Sequence, residues 1–209
     1  MFYVVRMPGW LKKIYSSSFI WRMPDNNSNT LYLTFDDGPH PAVTPWVLDE
    51  LRKYDARATF FCIGKNVNEY PQIYNRVLRE GHRVGNHTQD HLNGWKTHND
   101  RYLDNIRLAA QVIDSDLFRP PYGKIGAFAA RLLQEAPRPF KIIMWDVLSG
   151  DFDRSLTGAR CARNVIRYGR PGSIVVFHDS EKAFDRLRQA LPAVLEHFSR
   201  MGYRFESIE

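Results

Sequence analysis

The sequence lacks several features that mark other classes of protein. It has only two cysteines in 209 residues, Cys62 and Cys161. Two cysteines cannot build a disulfide framework, and these two lack the spacing of a zinc finger. The apolar run around Cys62 predicts a buried thiol instead. The sequence also shows no internal repeat and no low-complexity segment.

Long apolar runs are also missing. No segment approaches the roughly 20 apolar residues needed to span a bilayer. Arg6, Lys12 and Lys13 interrupt the apolar N-terminal region, so it lacks the apolar core of a signal peptide. We therefore expect a cytoplasmic or membrane-peripheral protein. Several residues could still line one side of a short helix in this region: Leu11, Ile14, Tyr15, Phe19, Ile20 and Trp21.

Charge of one sign is not concentrated anywhere in the chain. The net charge is +6, from 29 Lys+Arg against 23 Asp+Glu. The basic residues are dispersed and no nucleic-acid-binding motif is present, so we expect no nucleic-acid partner. We expect a monomer whose N-terminal arm, residues 1–29, packs on or flanks the main domain. Weak contact of that arm with a membrane surface is the alternative.

The chain beyond the polar turn at Asp25–Asn29 alternates predicted strands and helices. Its 44% hydrophobic content suits one domain over residues 30–209. This alternation predicts an α/β fold with a parallel sheet. Thr44 is the predicted N-cap of the first helix. The predicted strands are 31–35, 58–63, 83–86, 117–118, 140–145, 173–177 and 203–205, and the predicted helices are 43–54, 70–80, 101–115, 127–135, 157–168 and 181–200.

Polar residues follow five of the predicted strands. Active sites of barrel-type α/β enzymes lie at the C-terminal ends of their parallel strands. We therefore expect these residues to meet at one end of the fold. They are Asp36 with Asp37, His87, Arg119, Asp151 and His178.

His87 and His91 are four residues apart, and on a helical turn that spacing places both side chains on one face. Asp37 would complete a site with three protein ligands, and catalytic zinc sites typically have three such ligands and a water. Asp36 would be left to take a proton from that water. The sequence therefore predicts a metal-dependent hydrolase.

Two adjacent prolines make Arg119–Gly123 a rigid segment. Rigidity would aim Arg119 at a carboxylate base, which the guanidinium would keep ionised. It would also aim the backbone N–H of Tyr122, a natural donor to an oxyanion.

An apolar strand ends in His178. With a base already assigned, this histidine fits the general acid that protonates a leaving amine. Asp151 would be the carboxylate that keeps its imidazole protonated.

Together these motifs resemble the polysaccharide deacetylase family, also described as the NodB-homology group or carbohydrate esterase family four. The resemblance covers residues 31–209, in the family's order. It implies a distorted (β/α) barrel with about seven parallel strands. It also implies hydrolysis of N-acetyl groups from an N-acetylglucosamine-type glycan, such as a chitin oligomer or a peptidoglycan-like polymer. The segments that carry it are Thr34–Pro39, His87–His91, Arg119–Gly123 and the strand ending in His178.

The resemblance also implies a role for each residue. Thr88 corresponds to the hydroxyl residue that the family carries between its two histidines. The implied metal is Zn²⁺, although Co²⁺, Ni²⁺, Fe²⁺ or Mn²⁺ also suit such ligands. The implied roles are Asp36 as base, Asp37, His87 and His91 as metal ligands, Arg119 as the residue that orients the base, the Tyr122 N–H as oxyanion donor, His178 as acid and Asp151 as its partner.

Three positions depart from the family pattern, and all concern the groove floor or the surroundings of His178. Leu148 stands where aspartate is frequent, Phe152 where tryptophan is frequent, and Val176 where leucine is common. These departures bear on sugar preference rather than on the reaction. The expected substrate-binding residues are Pro120, Pro121, Tyr122, Trp95 and Phe152. Trp95 would stack on a sugar ring, and a plain packing role is the alternative for it.

Three other functions remain open from the sequence. The first is an acetylxylan-type esterase. The second is a deformylase or amidase that acts on a lipid-linked sugar or a small cyclic amide. The third is a non-catalytic glycan-binding relative, and the complete set of motif residues argues against it.

Overall fold

The computed structural model describes residues 4–9, 19–24 and 28–209. Seven parallel strands form one curled sheet in the order β5-β4-β3-β2-β1-β7-β6, and a short β8 pairs with the start of β1. The prediction of a distorted (β/α) barrel with about seven parallel strands is confirmed. The strands are β1 Thr30–Asp36, β2 Thr59–Cys62, β3 Arg83–Asn86, β4 Leu117–Phe118, β5 Lys141–Ile142, β6 Val147–Leu148, β7 Ile174–His178 and β8 Arg204–Phe205.

Among the described residues, seven α-helices flank these strands, and a 3₁₀ turn at Pro121–Gly123 follows β4. Helix α6 packs extensively against α7 on the outside of β6 and β7. The helices are α1 Val43–Arg52, α2 Gly64–Glu69, α3 Pro71–Arg79, α4 Asn99–Ala110, α5 Ala127–Glu135, α6 Gly158–Tyr168 and α7 Glu181–Arg200.

Strand β1 lies inside the sheet between β2 and β7, and its pairing aligns the C-terminal ends of these three strands. It is almost entirely buried, as expected for a parallel strand covered on both faces. Phe35 stacks between Phe60 of β2 and Phe177 of β7, with ring centroids 5.0 and 5.9 Å away. The register then brings Asp36 beside His178 across the β1–β7 pair. Residues distant in sequence therefore converge where these strands end.

Four predictions of secondary structure were wrong in detail. Thr44 is not the N-cap of α1: it lies inside the first turn, after Ala42, and its hydroxyl donates to Asp179 at 2.5 Å. Predicted strand 140–145 is only two residues long, and a second strand, β6, follows it. Helix α2 had no predicted counterpart, and the predicted helix 101–115 lies at Asn99–Ala110. The other helices and strands match within two residues.

The described parts of the N-terminal arm lie along both edges of the curled sheet. Arg6 pairs antiparallel with Val147 of β6, and Ile20 pairs with Ile143 just after β5. Phe19 and Trp21 are buried in the core beside α4 and α5. The arm therefore contacts the two strands at which the barrel is incomplete.

Two earlier predictions about the N-terminal region concern residues outside the described part of the chain. Leu11, Ile14 and Tyr15 of the amphipathic stretch lie there, as do residues 25–27 of the polar turn. Membrane-surface contact therefore stays a prediction. Within the described residues, no helix is long and apolar enough to cross a bilayer. Cys62 and Cys161 are both buried free thiols, as predicted for Cys62.

Candidate active site

A cleft of about 450 Å³ opens at the C-terminal ends of the strands. Four of the predicted site residues do not line it: Arg119 and Asp151 are buried behind the cleft, and Pro121 and Trp95 lie outside its lining. Eight others do line it: Asp36, Asp37, His87, His91, Pro120, Tyr122, Phe152 and His178.

Asp37, His87 and His91 form a group that could hold a metal ion. Their ligand atoms all lie within 4.8 Å of one another. Asp37 Oδ1 is 3.8 Å from His87 Nε2 and 3.3 Å from His91 Nε2. This carboxylate oxygen is buried and has no hydrogen-bond partner, although buried polar atoms are normally satisfied. Two imidazoles and one otherwise unsatisfied carboxylate oxygen are a donor set that suits zinc.

The backbone fixes the tautomer of His87. Its Nδ1 lies 2.8 Å from the carbonyl oxygen of Arg119. Because a carbonyl only accepts, Nδ1 carries the proton, and the lone pair of Nε2 is directed toward Asp37. Burial lowers the pKa of His87 to about 4. The imidazole is therefore neutral at physiological pH, which is the form that binds metals.

The backbone conformation that brings His91 close to Asp37 and His87 is not the one that the sequence predicted. The segment after β3 is not a helical turn: Thr88 and His91 both have left-handed backbones, with φ of 68° and 56°. The Thr88 N–H donates to Asn86 Oδ1 at 2.8 Å, and the Leu92 N–H donates to Thr88 Oγ1 at 3.2 Å. This irregular loop, rather than one face of a helix, places the two imidazole centroids 5.1 Å apart.

Asp37 sits on a strained turn next to Asp36. Its φ is 85°, and Asn66 Nδ2 donates to its carbonyl oxygen at 2.7 Å. Burial would raise the pKa of the Asp37 carboxyl, but the imidazoles of His91, His178 and His87 outweigh burial and lower it below its usual range. The carboxyl is therefore ionised under all ordinary conditions.

Asp36 is held by the fully buried Arg119. Arg119 Nη1 donates to Asp36 Oδ1 at 2.6 Å and to Thr34 Oγ1 at 2.7 Å. Arg119 Nε and Nη2 donate to the carbonyls of Ile143 and Met144 at 3.2 and 3.0 Å. A buried charge is tolerated only when it is paired and hydrogen-bonded, and this network meets both conditions.

His178 and the fully buried Asp151 form a second hydrogen-bonded pair at the cleft. Asp151 Oδ1 lies 2.8 Å from His178 Nδ1, and its Oδ2 accepts the backbone N–H of His178 at 2.8 Å. Burial by itself lowers the pKa of His178, but the charge and hydrogen bond of Asp151 outweigh it, so that the pKa is about 9. The imidazole is thus protonated near neutral pH, and its Nε2–H is available to donate.

Asp179 is a site residue that sequence reasoning missed. This fully buried carboxylate accepts the Gly38 N–H at 3.0 Å and the Thr44 hydroxyl at 2.5 Å. Its own N–H donates to the carbonyl of Asp36 at 3.1 Å. Asp179 therefore secures the turn that carries both aspartates. Its place directly after His178, at the end of an apolar strand, was the available signal.

Tyr122 projects over the metal-binding group. Its backbone is left-handed, with φ of 60°, and its ring packs edge-on against His91 at 4.7 Å. Gly123 follows with φ of 67°, and a side chain there would overlap Trp145. Trp145 also lines the cleft and was not predicted as a site residue. The loop backbone thus passes close to an aromatic wall, which explains the glycine.

Comparisons with known proteins agree with this geometry. The polysaccharide deacetylase family matches residues 24–139. The chain is 36% identical over 195 residues to a peptidoglycan-N-acetylglucosamine deacetylase of Bacillus cereus, with 90% of each chain covered. It is 34% identical over 161 residues to a chitooligosaccharide deacetylase of Azorhizobium caulinodans, with 73% of this chain and 75% of the relative covered.

The likeness extends to three dimensions. A crystal structure of a peptidoglycan N-acetylglucosamine deacetylase, in complex with 4-naphthalen-1-yl-N-oxidanyl-benzamide, matches this fold with a TM-score of 0.87. The two sequences are 29% identical, and the match covers 97% of this chain and 95% of that one.

Proposed function

This chain belongs to the polysaccharide deacetylase family, and from that premise we propose that it hydrolyses the N-acetyl group of an N-acetylglucosamine-type glycan and releases acetate. One observation carries the proposal. A three-residue group fit for a metal, Asp37 with His87 and His91, lies beside a carboxylate that a buried arginine holds in place. This pairing of a metal-binding group and a base suits the hydrolysis of an unactivated amide.

Asp36 is the proposed general base. Its Oδ1 accepts a hydrogen bond from Arg119 Nη1 at 2.6 Å, which fixes the direction of the carboxylate. Asp36 takes a proton from the attacking water as the water oxygen adds to the acetamide carbonyl carbon. Asp37, His87 and His91 would hold a divalent cation, for which we propose Zn²⁺, and this ion would supply Lewis acidity at the carbonyl and lower the pKa of the water.

His178 is the proposed general acid. With its pKa at about 9, it carries a proton near neutral pH, and Asp151 occupies its Nδ1 side. The proton on Nε2 passes to the amide nitrogen as the carbon–nitrogen bond breaks, so the sugar leaves as a free amine. The backbone N–H of Tyr122 is the proposed donor to the oxyanion that forms before this cleavage.

The sugar would lie in the cleft between Tyr122 and Phe152. Both side chains line it, and Pro120 supports the Tyr122 side. Phe152 packs edge-on against His178 at 5.2 Å, so a ring bound against Phe152 would lie close to the acid. The relatives named above act on peptidoglycan or on chitooligosaccharides, which supports an amino-sugar glycan as the substrate class.

The proposal is tested by measuring acetate release from chitin oligomers, with an acetylated xylan in parallel. The enzyme is first stripped of metal and then reloaded with zinc. We expect zinc-dependent release from the chitin oligomers. Release from the xylan ester alone would assign an esterase instead, and zinc binding without release from either would contradict the proposal.

Two variants separate the base from the metal ligands. Asp36→Asn removes the proton acceptor but leaves the ligands, so it should abolish turnover and keep bound zinc. His87→Ala removes a proposed metal ligand, so its primary effect should be the loss of bound zinc. Unchanged turnover in Asp36→Asn would contradict the assignment of the base.

A further inference from the structure

The charges that line the cleft are unevenly distributed between its floor and its mouth. The two lining carboxylates, Asp36 and Asp37, lie at the floor among the described residues. Each is already faced by a cationic or metal-binding partner: Arg119 binds Asp36, and the two histidines surround Asp37. The acidic charge of the floor is therefore taken up within the site itself.

Two lysines line the same cleft, and we call Lys124 and Lys182 the cationic rim. They come from different walls: Lys124 follows β4, and Lys182 lies in the first turn of α7, directly after β7. Within the described part of the chain, neither ammonium group has a carboxylate within 4.0 Å, whereas many surface cations here are paired, as in Arg76 with Asp49 and Glu80. The rim thus presents unneutralised positive charge to whatever enters the cleft.

Lys182 lies in the first turn of α7 directly after Glu181, the acidic residue of that turn, but only Lys182 of the two lines the cleft. The positive end of a helix dipole lies at its N-terminus, where acidic groups stabilise and a lysine does not. Lys182 occupies that first turn of a helix 20 residues long. Ser180, which precedes the helix, also lines the cleft. A negatively charged substrate group would be favourable to both the ammonium and the helix end.

Lys124 is tied to an exposed aromatic platform. Its ammonium lies 5.3 Å from the ring centroid of Trp95, a side chain that is 58% exposed. Two hydrogen bonds hold Trp95 in position. Its indole N–H donates to the carbonyl of Ile125 at 3.1 Å, and the N–H of the preceding Gly94 donates to the carbonyl of Lys124 at 3.2 Å. A flat apolar ring beside a cation suits a sugar that carries an acidic group.

We propose that the glycan hydrolysed at this site carries an anionic group, a carboxylate or a phosphate, next to the acetylated amino sugar, and that Lys124 and Lys182 bind it. This proposal rests on the function proposed above and narrows it to acidic glycans. The rim would act mainly on binding, through KM, because neither lysine belongs to the metal-binding group or to the acid–base pairs.

The test compares three oligomers of equal length: a neutral chitin oligomer, one with a carboxylate on the neighbouring sugar, and one with a phosphate there. For each, kcat/KM is measured for wild type, Lys124→Gln and Lys182→Gln. Lys65→Gln is the matched control, since this exposed lysine lies outside the cleft lining and has no carboxylate partner in the described structure.

We expect wild type to prefer an anionic oligomer, and the stronger preference of the two identifies the group recognised. Each rim substitution should lower the ratio of anionic to neutral kcat/KM by roughly two- to fivefold, the usual range for solvent-exposed ion pairs. Salt at about 1 M should lower the same ratio, because the screening length then falls to ~3 Å. Lys65→Gln should leave the ratio unchanged.

Equal kcat/KM for neutral and anionic oligomers at low salt would overturn the proposal, as would an unchanged ratio in both rim variants. Acetate release from the neutral oligomer would still uphold the deacetylase function. If no oligomer released acetate, dissociation constants measured in the Asp36→Asn background would decide the question separately. Tighter binding of the anionic oligomer, lost in the rim variants, would support the rim, and equal binding would refute it.

Discussion

The pair formed by His178 and Asp151 leads to a prediction about the pH dependence of activity. It distinguishes a role of Asp151 in raising the pKa of His178 from a role in orienting the imidazole only. An acid must be protonated to act, so activity should fall as the pH rises through the pKa of His178, which is about 9. Asp151 is the largest influence that raises this pKa, through its charge and its hydrogen bond to Nδ1. Removing that charge should move the alkaline limb of the pH–rate profile to lower pH.

The substitution Asp151→Asn removes the charge with little change in shape. The asparagine oxygen can still accept the backbone N–H of His178, which Asp151 Oδ2 accepts now. Its NH₂ group would then face Nδ1 and donate to it, which stabilises the neutral imidazole. Burial lowers the pKa of His178 further once the carboxylate is gone. The charges of Asp37 and Asp36 still raise it, so we expect a pKa near the ordinary histidine value of 6.5.

The size of the effect follows from the two pKa values. At about pH 8, a group of pKa about 9 is roughly nine-tenths protonated, whereas one of pKa about 6.5 is protonated to about 3%, so kcat/KM should fall about thirtyfold. At about pH 6 the two proteins should differ less than about twofold for the same reason. The assay is acetate release at saturating zinc across this range.

Asp185→Asn is a suitable control, because Asp185 is exposed on α7 and pairs with the neighbouring Arg188 on the same helix. It should leave both the rate and the pH profile unchanged. A loss in Asp151→Asn that is equal at both pH values would refute the reasoning. Asp151 would then serve only to orient the imidazole.

Three other substitutions test the scaffold around the site. Arg119→Met leaves the buried Asp36 carboxylate unpaired, so the free energy of unfolding measured in urea should fall by about 3–5 kcal/mol; a fall below ~1 kcal/mol would mean that the pair is not desolvated as the structure shows. Gly38→Ala places a Cβ against the Asp179 carboxylate and should cost about 1–3 kcal/mol in the same assay; full stability would contradict the tight contact. Zinc at about 100 times its Kd should stabilise wild type by ~2.7 kcal/mol in thermal unfolding, and His91→Ala should lose this protection; equal protection would remove His91 from the ligand set.

Some of the fold could be predicted because its cause is local. Strand β1 is a short apolar run with polar residues at both ends, and α7 has helical periodicity over its full length, so both were found close to their observed bounds. Strand β5 was overestimated, because the apolar residues after Ile142 read as strand but include Trp145, which lines the cleft. The N-cap prediction for Thr44 also failed because of a contact distant in sequence. Its hydroxyl donates to Asp179, 135 positions away, instead of capping the helix.

The chemistry of the site was largely present in the sequence, because residue type limits what a side chain can do. Two histidines and two aspartates that follow predicted strands indicate a metal site and a general base, even before their positions in space are known. Their geometry was not present there. The left-handed loop that carries His91 replaces the helical turn that its spacing indicated, and the carbonyl that fixes the tautomer of His87 belongs to Arg119.

The sequence by itself determined the class of fold and the family, and it predicted the candidate site residues, since these follow from hydrophobic pattern and side-chain chemistry. Only the tertiary structure decided which groups share a buried environment. Asp179, although it directly follows His178, could not be predicted to bind the aspartate turn, and the two lysines could not be predicted to line the cleft. Their proximity to the site arises from strand register and helix placement, which depend on packing between segments far apart in the chain.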